Sequence, residues 1–452
     1  MQILIIAALI IIGVLFFELI IFSHEFGHFI TAKLSGVQVN EFALGMGPKI
    51  FGFKKGETQY TFRLLPIGGF CAMEGEDEDS NEPRAFNNAK IWKRMIIIIA
   101  GAVMNILLGL VLMFAFTVQQ DSYASTTVEG FYSLTYSAAS IKSNDEIVEI
   151  NGYSIWNSRD LQFAISTMPC VKVDGKTLDI YKQDCEKAAL DICNDLVSDK
   201  KTNKDQSEKL REIYYDARSA IGKTNSKDEA YKVLEDTYEK AYAVLGIKDY
   251  DAPKITEQDT RQRYVSDVTV KRDGKKVNLK NVQFYTVEHG NDKPTISIDF
   301  ALETIDKTFT SVITQTFTET CSMAKTVWTS LIWLVQGKFS FNDLSGPVGI
   351  ATVVTNVASQ GLQSGFGDAV NNILFVMILI TVNLGIVNML PFPALDGGRF
   401  VFLLIEGIFK KPIPRKAEQI VNTIGLVLLM LFMLIISIKD IWQLVTGTFP
   451  TM

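Results

Sequence analysis

Apolar residues in this chain are gathered into long runs towards its two ends, with a polar and alternating region between them. Residues 2–22 hold a single charge, Glu18, while 95–118, 370–390 and 424–438 hold none. A helix needs about 20 residues to cross about 30 Å of hydrocarbon, and each run with its apolar flanks approaches or exceeds that length. The pattern predicts four transmembrane helices, over 1–33, 94–118, 370–396 and 422–446.

Val39 to Phe70 breaks into short runs punctuated by Gly45, Gly47, Gly52, Gly56, Gly68 and Gly69, the pattern of β-hairpins. With the acidic loop Glu74 to Glu82 they fill residues 34–93. Beyond the second span, Asp145 to Gly152 alternates polar and apolar residues into a turn, and Val265 to Val282 repeats that pattern. A β-rich domain is expected over 121–168 and 262–304. Between its halves, residues 169–261 are dense in charge and carry apolar residues at helical spacing, as in Leu210, Ile213, Tyr214, Ala217 and Ile221. Ser226 and Glu229 fit a capping box there, so a helical insertion is predicted. Residues 305–338 are too polar for a span and read as an amphipathic helix at the membrane surface. A connecting segment at 339–369 and a loop at 397–421 complete the chain.

Charge orients these elements. Lys33, Lys49, Lys54, Lys55, Arg63, Arg84, Lys90, Lys93 and Arg94 mark the first loop as cytoplasmic, and Arg399, Lys410, Lys411, Arg415 and Lys416 do the same for 397–421. The β-rich domain then lies outside. No basic residue precedes the first apolar core, unlike a secretory signal, so that span is expected in the mature chain. The fold class is a polytopic α-helical membrane protein with four transmembrane helices, membrane-associated β-hairpins, and an extracytoplasmic α/β domain carrying a helical insertion. Membrane lipids are its surroundings, and 44 basic against 50 acidic side chains argue against nucleic acid as a partner. Five cysteines form no CxxC pair; Cys170, Cys185 and Cys193 leave room for one disulfide in the outer domain.

The first span ends in His24-Glu-Phe-Gly-His28. Residues four apart share a helix face, so both imidazoles can bind one Zn²⁺ with Glu25 beside the open position. Three ionisable groups at membrane depth call for a shared stabiliser, which a divalent metal supplies. A catalytic zinc takes three protein ligands, leaving one to be found. His289, the third histidine of the chain, falls in the outer region. Among carboxylates at matching depth Asp396 is the first choice, and Glu41 the alternative.

At these residues the chain resembles the site-2 protease family, and in particular its bacterial branch, whose members regulate sigma factors by cutting anti-sigma proteins. The matching motifs are His24-Glu-Phe-Gly-His28, Asn388-Met-Leu-Pro-Phe-Pro-Ala-Leu-Asp-Gly397, Leu65-Pro-Ile-Gly-Gly-Phe70 and Gly346-Pro-Val-Gly-Ile350. The resemblance implies Asp396 as third zinc ligand, Asn388 as a residue positioning substrate backbone, and an edge around Leu65, Gly68, Gly69 and Phe70 that pairs with substrate. It also implies a PDZ-like outer domain and a multi-pass protein of the bacterial inner membrane. Where the family often has Gly-Pro before an asparagine in the second core helix, this chain has Gly101-Ala102 before Asn105.

The expected activity is that of an intramembrane zinc endopeptidase making the second cut in single-span membrane proteins pretrimmed by another protease, such as anti-sigma factors or signal-peptide remnants. Glu25 would be the general base. The competing class is a non-enzymatic membrane scaffold with a structural metal site, which would call for four protein ligands. A metal transporter would call for a second intramembrane cluster that the sequence lacks.

Overall fold

The computed structural model describes residues 2–76, 78, 80–131, 137–167, 170–172, 178–199, 202–255, 262–284, 286–287, 295–296, 298, 300–338 and 344–447. The chain opens with α1 (Gln2–Ser35), β1 (Val39–Lys55), β2 (Thr58–Met73) and α2 (Ile91–Gln119). Next come β3 (Ser122–Phe131), β4 (Glu146–Ile150), β5 (Tyr153–Ser154), α3 (Ser158–Ser166) and β6 (Cys170–Lys172), then α4 (Leu178–Asp199), α5 (Lys204–Gly222) and α6 (Lys227–Val244). Five strands follow: β7 (Gln262–Arg272), β8 (Lys275–Phe284), β9 (Thr286–Val287), β10 (Thr295–Ile296) and β11 (Phe300–Asp306). The chain closes with α7 (Phe309–Val335), α8 (Pro347–Ser364), α9 (Phe366–Asn388), α10 (Asp396–Phe409) and α11 (Arg415–Thr446). Two compact units result, residues 1–121 with 307–452 and residues 122–306.

Among the described residues of the first unit, four helices are long and apolar enough to cross a membrane: Ile11–Ser35, Ile91–Gln119, Phe366–Asn388 and Lys416–Thr446. α2 packs between α1 and α9 at backbone contact. A Cβ on Gly27 would lie 2.4 Å from the Ala100 carbonyl oxygen, and one on Gly385 3.0 Å from that of Ala102. Small residues are what allow membrane helices to approach so closely. Met113, Leu374, Ile378 and Val382 fill the α2–α9 seam together with Met323 of α7. The polar segment expected at the surface is a single helix, α7, whose inner face meets α2 through Thr316 Oγ1 and Thr117 Oγ1, 2.9 Å apart. The connecting segment and the loop each contain a helix that sequence patterning does not reveal, α8 and α10.

β1 and β2 each bend, so the pair forms a sheet of four segments. Residues 49–55 pair with 58–63, which pair with 41–44, which pair with 69–73. Gly45 and Gly68, at φ of +79° and +92°, are among the residues that permit the bends. The outer edge of the last segment has no strand partner among the described residues.

The second unit is built on an antiparallel sheet ordered β11-β3-β4-β7-β6, with β5 on β4 and β8 on β7. Arg272 clamps Asp145 through both carboxylate oxygens at 2.7 and 2.6 Å, fixing the turn before β4 to β7. The insertion leaves and re-enters through neighbouring strands, Lys172 standing opposite Gln262. Its three helices have a core of their own, including Cys185, Leu210, Ile221, Ala230 and Leu234. Ser226 accepts from the Glu229 N–H, while the Glu229 carboxylate receives the N–H of Asn225 rather than that of Ser226. Cys185 and Cys193 are free thiols. The Cys170 side chain and His289 lie outside the described residues.

Candidate active site and metal centre

α1 supplies His24, Glu25 and His28, and α10 supplies Asp396 as its first residue. The imidazole Nε2 atoms stand 3.2 Å apart. Asp396 Oδ2 lies 3.1 Å from that of His24 and 3.4 Å from that of His28. A tetrahedral zinc with bonds of about 2.0–2.1 Å spaces its ligand atoms about 3.3 Å apart, so the triangle has the right size for one ion. Asp396 Oδ2 is also enclosed without an aligned hydrogen bond, an arrangement that a cation would satisfy. Two imidazoles and a carboxylate suit zinc and leave its fourth position open. Among the described residues, this is the group of His, Cys, Asp and Glu whose ligand atoms converge. Glu41 is engaged elsewhere, accepting from Thr61 at 2.6 Å and Arg63 at 2.7 Å. Burial alone would raise its carboxyl, but those bonds hold it below the ordinary value.

The ligands are held from behind. His28 Nδ1 is 2.8 Å from the Ile97 carbonyl oxygen; as a donor there, it leaves the Nε2 lone pair facing the metal position. His24 Nδ1 lies 3.4 Å from Asn105 Nδ2, and Asn105 Oδ1 is enclosed without a partner. A half-turn of this amide, whose two ends have the same shape, lets Oδ1 accept from His24 Nδ1–H and turns its Nε2 inward too. Asp396 is aimed by a tight turn in which Ala394 adopts φ +75°. α10 then starts in backbone contact with that turn. A Cβ on Gly397 would stand 2.2 Å from the Leu390 oxygen, and one on Gly398 2.4 Å from that of Phe392.

The sheet edge passes beside this centre. The Cβ position of Gly69 is 3.5 Å from Glu25 Cγ and 3.4 Å from Ile21 Cγ2. Leu65 pairs with Met46 and Phe70 with Ala43, and the Arg63 guanidinium covers the Phe70 ring at 4.9 Å. Asn388 is the half-buried last residue of α9. On another side, a cavity of about 570 Å³ is flanked by the ion pairs Arg94–Glu406 and Arg399–Glu76. Sequence reasoning did not single out Gly101 or Asn105 as site residues, and the Ile97 carbonyl has no side-chain signal by which it could be found.

A structural zinc site would supply four protein ligands, whereas among the described residues three ligand atoms converge here, with the Glu25 carboxylate on the same helix as the two imidazoles, the donor set of a hydrolytic centre. Set among helices that span a bilayer, the centre is that of an intramembrane zinc protease. The profile of peptidase family M50 matches residues 12–432, and the chain belongs to that family. It is 35% identical to a Clostridium acetobutylicum protein assigned as a zinc metalloprotease, over 96% of this chain and 97% of the relative. It is 31% identical to the regulator of sigma-W protease RasP of Bacillus subtilis, over 95% and 97%. For the zinc metalloprotease RasP of Bacillus licheniformis the identity is 30%, over 95% and 98%.

Proposed function

We propose that this protease makes the second cut in regulated intramembrane proteolysis, acting in a bacterial inner membrane on single-span proteins already trimmed by another enzyme. The Bacillus subtilis relative's name, which ties that protein to a sigma factor, supports anti-sigma proteins as a substrate class. Signal-peptide remnants have the same single-span chemistry. In this reading the second unit is a PDZ-like extracytoplasmic domain that hinders substrates with bulky ectodomains, and the first and last interhelical loops are cytoplasmic.

The observation that carries the reading is the passage beside Glu25, at the Gly69 contact, of a strand edge with no strand partner among the described residues. A substrate helix has its amides satisfied internally and must unwind before attack, and a strand edge replaces the hydrogen bonds it loses. The backbone from Leu65 through Gly68 and Gly69 to Phe70 offers that edge, and Asn388 offers an amide to the substrate backbone. His24, His28 and Asp396 hold the metal. Zinc, when bound, polarises the scissile carbonyl and acidifies water at its open position. Glu25 takes the proton from the attacking water and delivers it to the leaving amine.

Purified Glu25→Gln should hold stoichiometric zinc and lose at least about 100-fold in cleavage of a transmembrane substrate. Asp396→Asn should lose both zinc and activity. Cleavage by Glu25→Gln at the wild-type rate would remove Glu25 from the mechanism.

A further inference from the structure

The apolar start of α1 contains one charge that neither the packing nor the proposed chemistry uses. Glu18 is the single charged residue among positions 2–22, and its Oε1 is enclosed with no hydrogen-bond partner among the described residues. An ionisable group at membrane depth is costly, and such groups usually face a polar pathway or a binding site. Core packing does not account for it. Ile20, which is fully buried in a cluster with Ile373 and Met377 of α9, is two residues on, and so about 200° around the helix.

Helical phase sets the direction in which Glu18 points. At about 100° per residue, Glu18 lies within about 60° of Ile21 and about 20° of Glu25. Those are the two residues that touch the Gly69 position on the strand edge. Phe22, also on this side, meets Phe42 of β1 with ring centroids 5.9 Å apart. Further towards the N-terminus the same face is open, with Ile11, Val14 and Leu15 exposed. Glu18 therefore stands on the face of α1 that runs from the strand edge to the exposed residues nearer the N-terminus. It is two helical turns, about 10 Å, from Glu25.

We propose that Glu18 is a specificity-determining residue that accepts a hydrogen bond from a donor side chain of the substrate's transmembrane segment. The donor would be a lysine, arginine, asparagine or glutamine. An extended chain rises about 3.3 Å per residue, so the residue it reads lies about three positions from the scissile bond. The argument from chemistry is one of mutual compensation. A lone carboxyl on this face and a lone donor in a membrane segment are each destabilising, and pairing them offsets both. An all-apolar substrate leaves the carboxyl without a partner, so Glu18 discriminates against it. The inference rests on the proposed pairing of substrate with the Leu65–Phe70 edge.

The test uses full-length, zinc-loaded enzyme in liposomes and a set of single-span peptides that differ at one position. Lysine, asparagine or leucine is walked through five successive residues on either side of a cut site mapped by mass spectrometry. Wild type should prefer lysine or asparagine over leucine by about 10-fold or more in kcat/KM at one position, about three residues from the cut. Glu18→Leu should bring that ratio to about 1, and Glu18→Gln should keep part of the preference for asparagine. The proposal is overturned if Glu18→Leu retains the wild-type ratio, if it slows every peptide alike, or if the ratio falls only together with zinc content. Failure of the protease mechanism itself would show separately, as cleavage of the whole set by Glu25→Gln.

Discussion

Gly101 and His28 stand so close that a Cβ on the glycine would lie 2.4 Å from the imidazole Nε2, and 2.7 Å from Cε1 of His24. The crossing of α1 and α2 thus leaves room for a metal-binding pair of imidazoles only because this position has no side chain. Gly101→Ala should favour the helix locally, by about 1 kcal/mol of propensity, and still damage the site by pushing both rings aside. We expect zinc affinity to fall by about 10-fold or more, with a parallel loss of cleavage. Zinc stoichiometry of the purified variant, read against its helical circular dichroism, checks this. Full zinc in Gly101→Ala would show that the rings have more freedom than the contact implies.

Asn105 is the second support. Its amide lies behind His24, and its backbone carbonyl accepts from Thr381 Oγ1 of α9 at 3.2 Å, which ties the support to a third helix. Asn105→Leu should lower zinc affinity about 10-fold to 100-fold, the usual scale for removing a group that orients a ligand. Asn105→Asp keeps an oxygen for His24 Nδ1–H and should retain more zinc than the leucine variant. Competition with a chelator gives both affinities, and equal retention by the two variants would exclude the orienting role.

Much of this site could be read from residue types and spacing. His24 and His28 announce themselves because i and i+4 share a helix face, and the four spans because hydrocarbon thickness sets a length. Asp396 was harder. Its preference over Glu41 rests on Asp396 and the two histidines falling at helix ends on one side of the membrane, and what separates the two carboxylates in the structure is the set of tertiary contacts that occupy Glu41 with Thr61 and Arg63. α10 is not legible from patterning, because Gly397 and Gly398 have low helix propensity and their role, close approach to the preceding turn, is tertiary. α8 was hidden because its N-terminal turn is capped from another helix.

That cap is Asp440 of α11. Its Oδ2 accepts the N–H groups of both Gly346 and Gly349, each at 2.8 Å, and α8 has no side-chain cap of its own. A buried carboxylate at a helix N-terminus satisfies orphan donors and complements the helix dipole. Asp440→Ala should strand both donors and destabilise the protein by about 1–3 kcal/mol for each. Asp440→Asn retains an acceptor and should lose less. Thermal unfolding in detergent measures the order wild type, Asn, Ala, and an alanine variant as stable as wild type would show that α8 finds its donors other partners.

Glu57, in the turn between β1 and β2, gives a pH signature. Hydrogen bonds from Arg84, then from Lys33, pull its carboxyl from an ordinary 4.5 down to about 2. A folded-state value below the unfolded one means that the stabilisation is complete above the unfolded value and is lost as pH falls through the folded one. The window is therefore from about 4.5 down to about 2. These side chains are partly solvated, so the effect is modest, about 1 kcal/mol or less. The stability difference between wild type and Glu57→Gln should be constant above that window and vanish across it. A difference that grew on acidification would have the wrong sign for this ion pair.

The helical insertion should be removable, because the chain leaves and re-enters the sheet at one place. Cys170, Val171 and Lys172 stand opposite Tyr264, Arg263 and Gln262 in an antiparallel pair, so its two ends are already joined by sheet hydrogen bonds. Two opposed residues of this kind can be closed by a two-residue turn such as Asn-Gly. The bundle's core is made from its own helices, with Leu210, Ile221 and Leu234 buried among residues of α4, α5 and α6. Replacing residues 173–261 with Asn-Gly should therefore leave β6, β7 and β4 paired and the zinc ligands untouched. Because the zinc ligands belong to the other compact unit, the shortened protein should bind a full equivalent of zinc and cut a minimal transmembrane substrate at a rate within about 2-fold of wild type. The measurement is zinc content and kcat/KM on a substrate without an ectodomain. A folded, zinc-loaded deletion that no longer cuts would show that the insertion helps shape the active site after all.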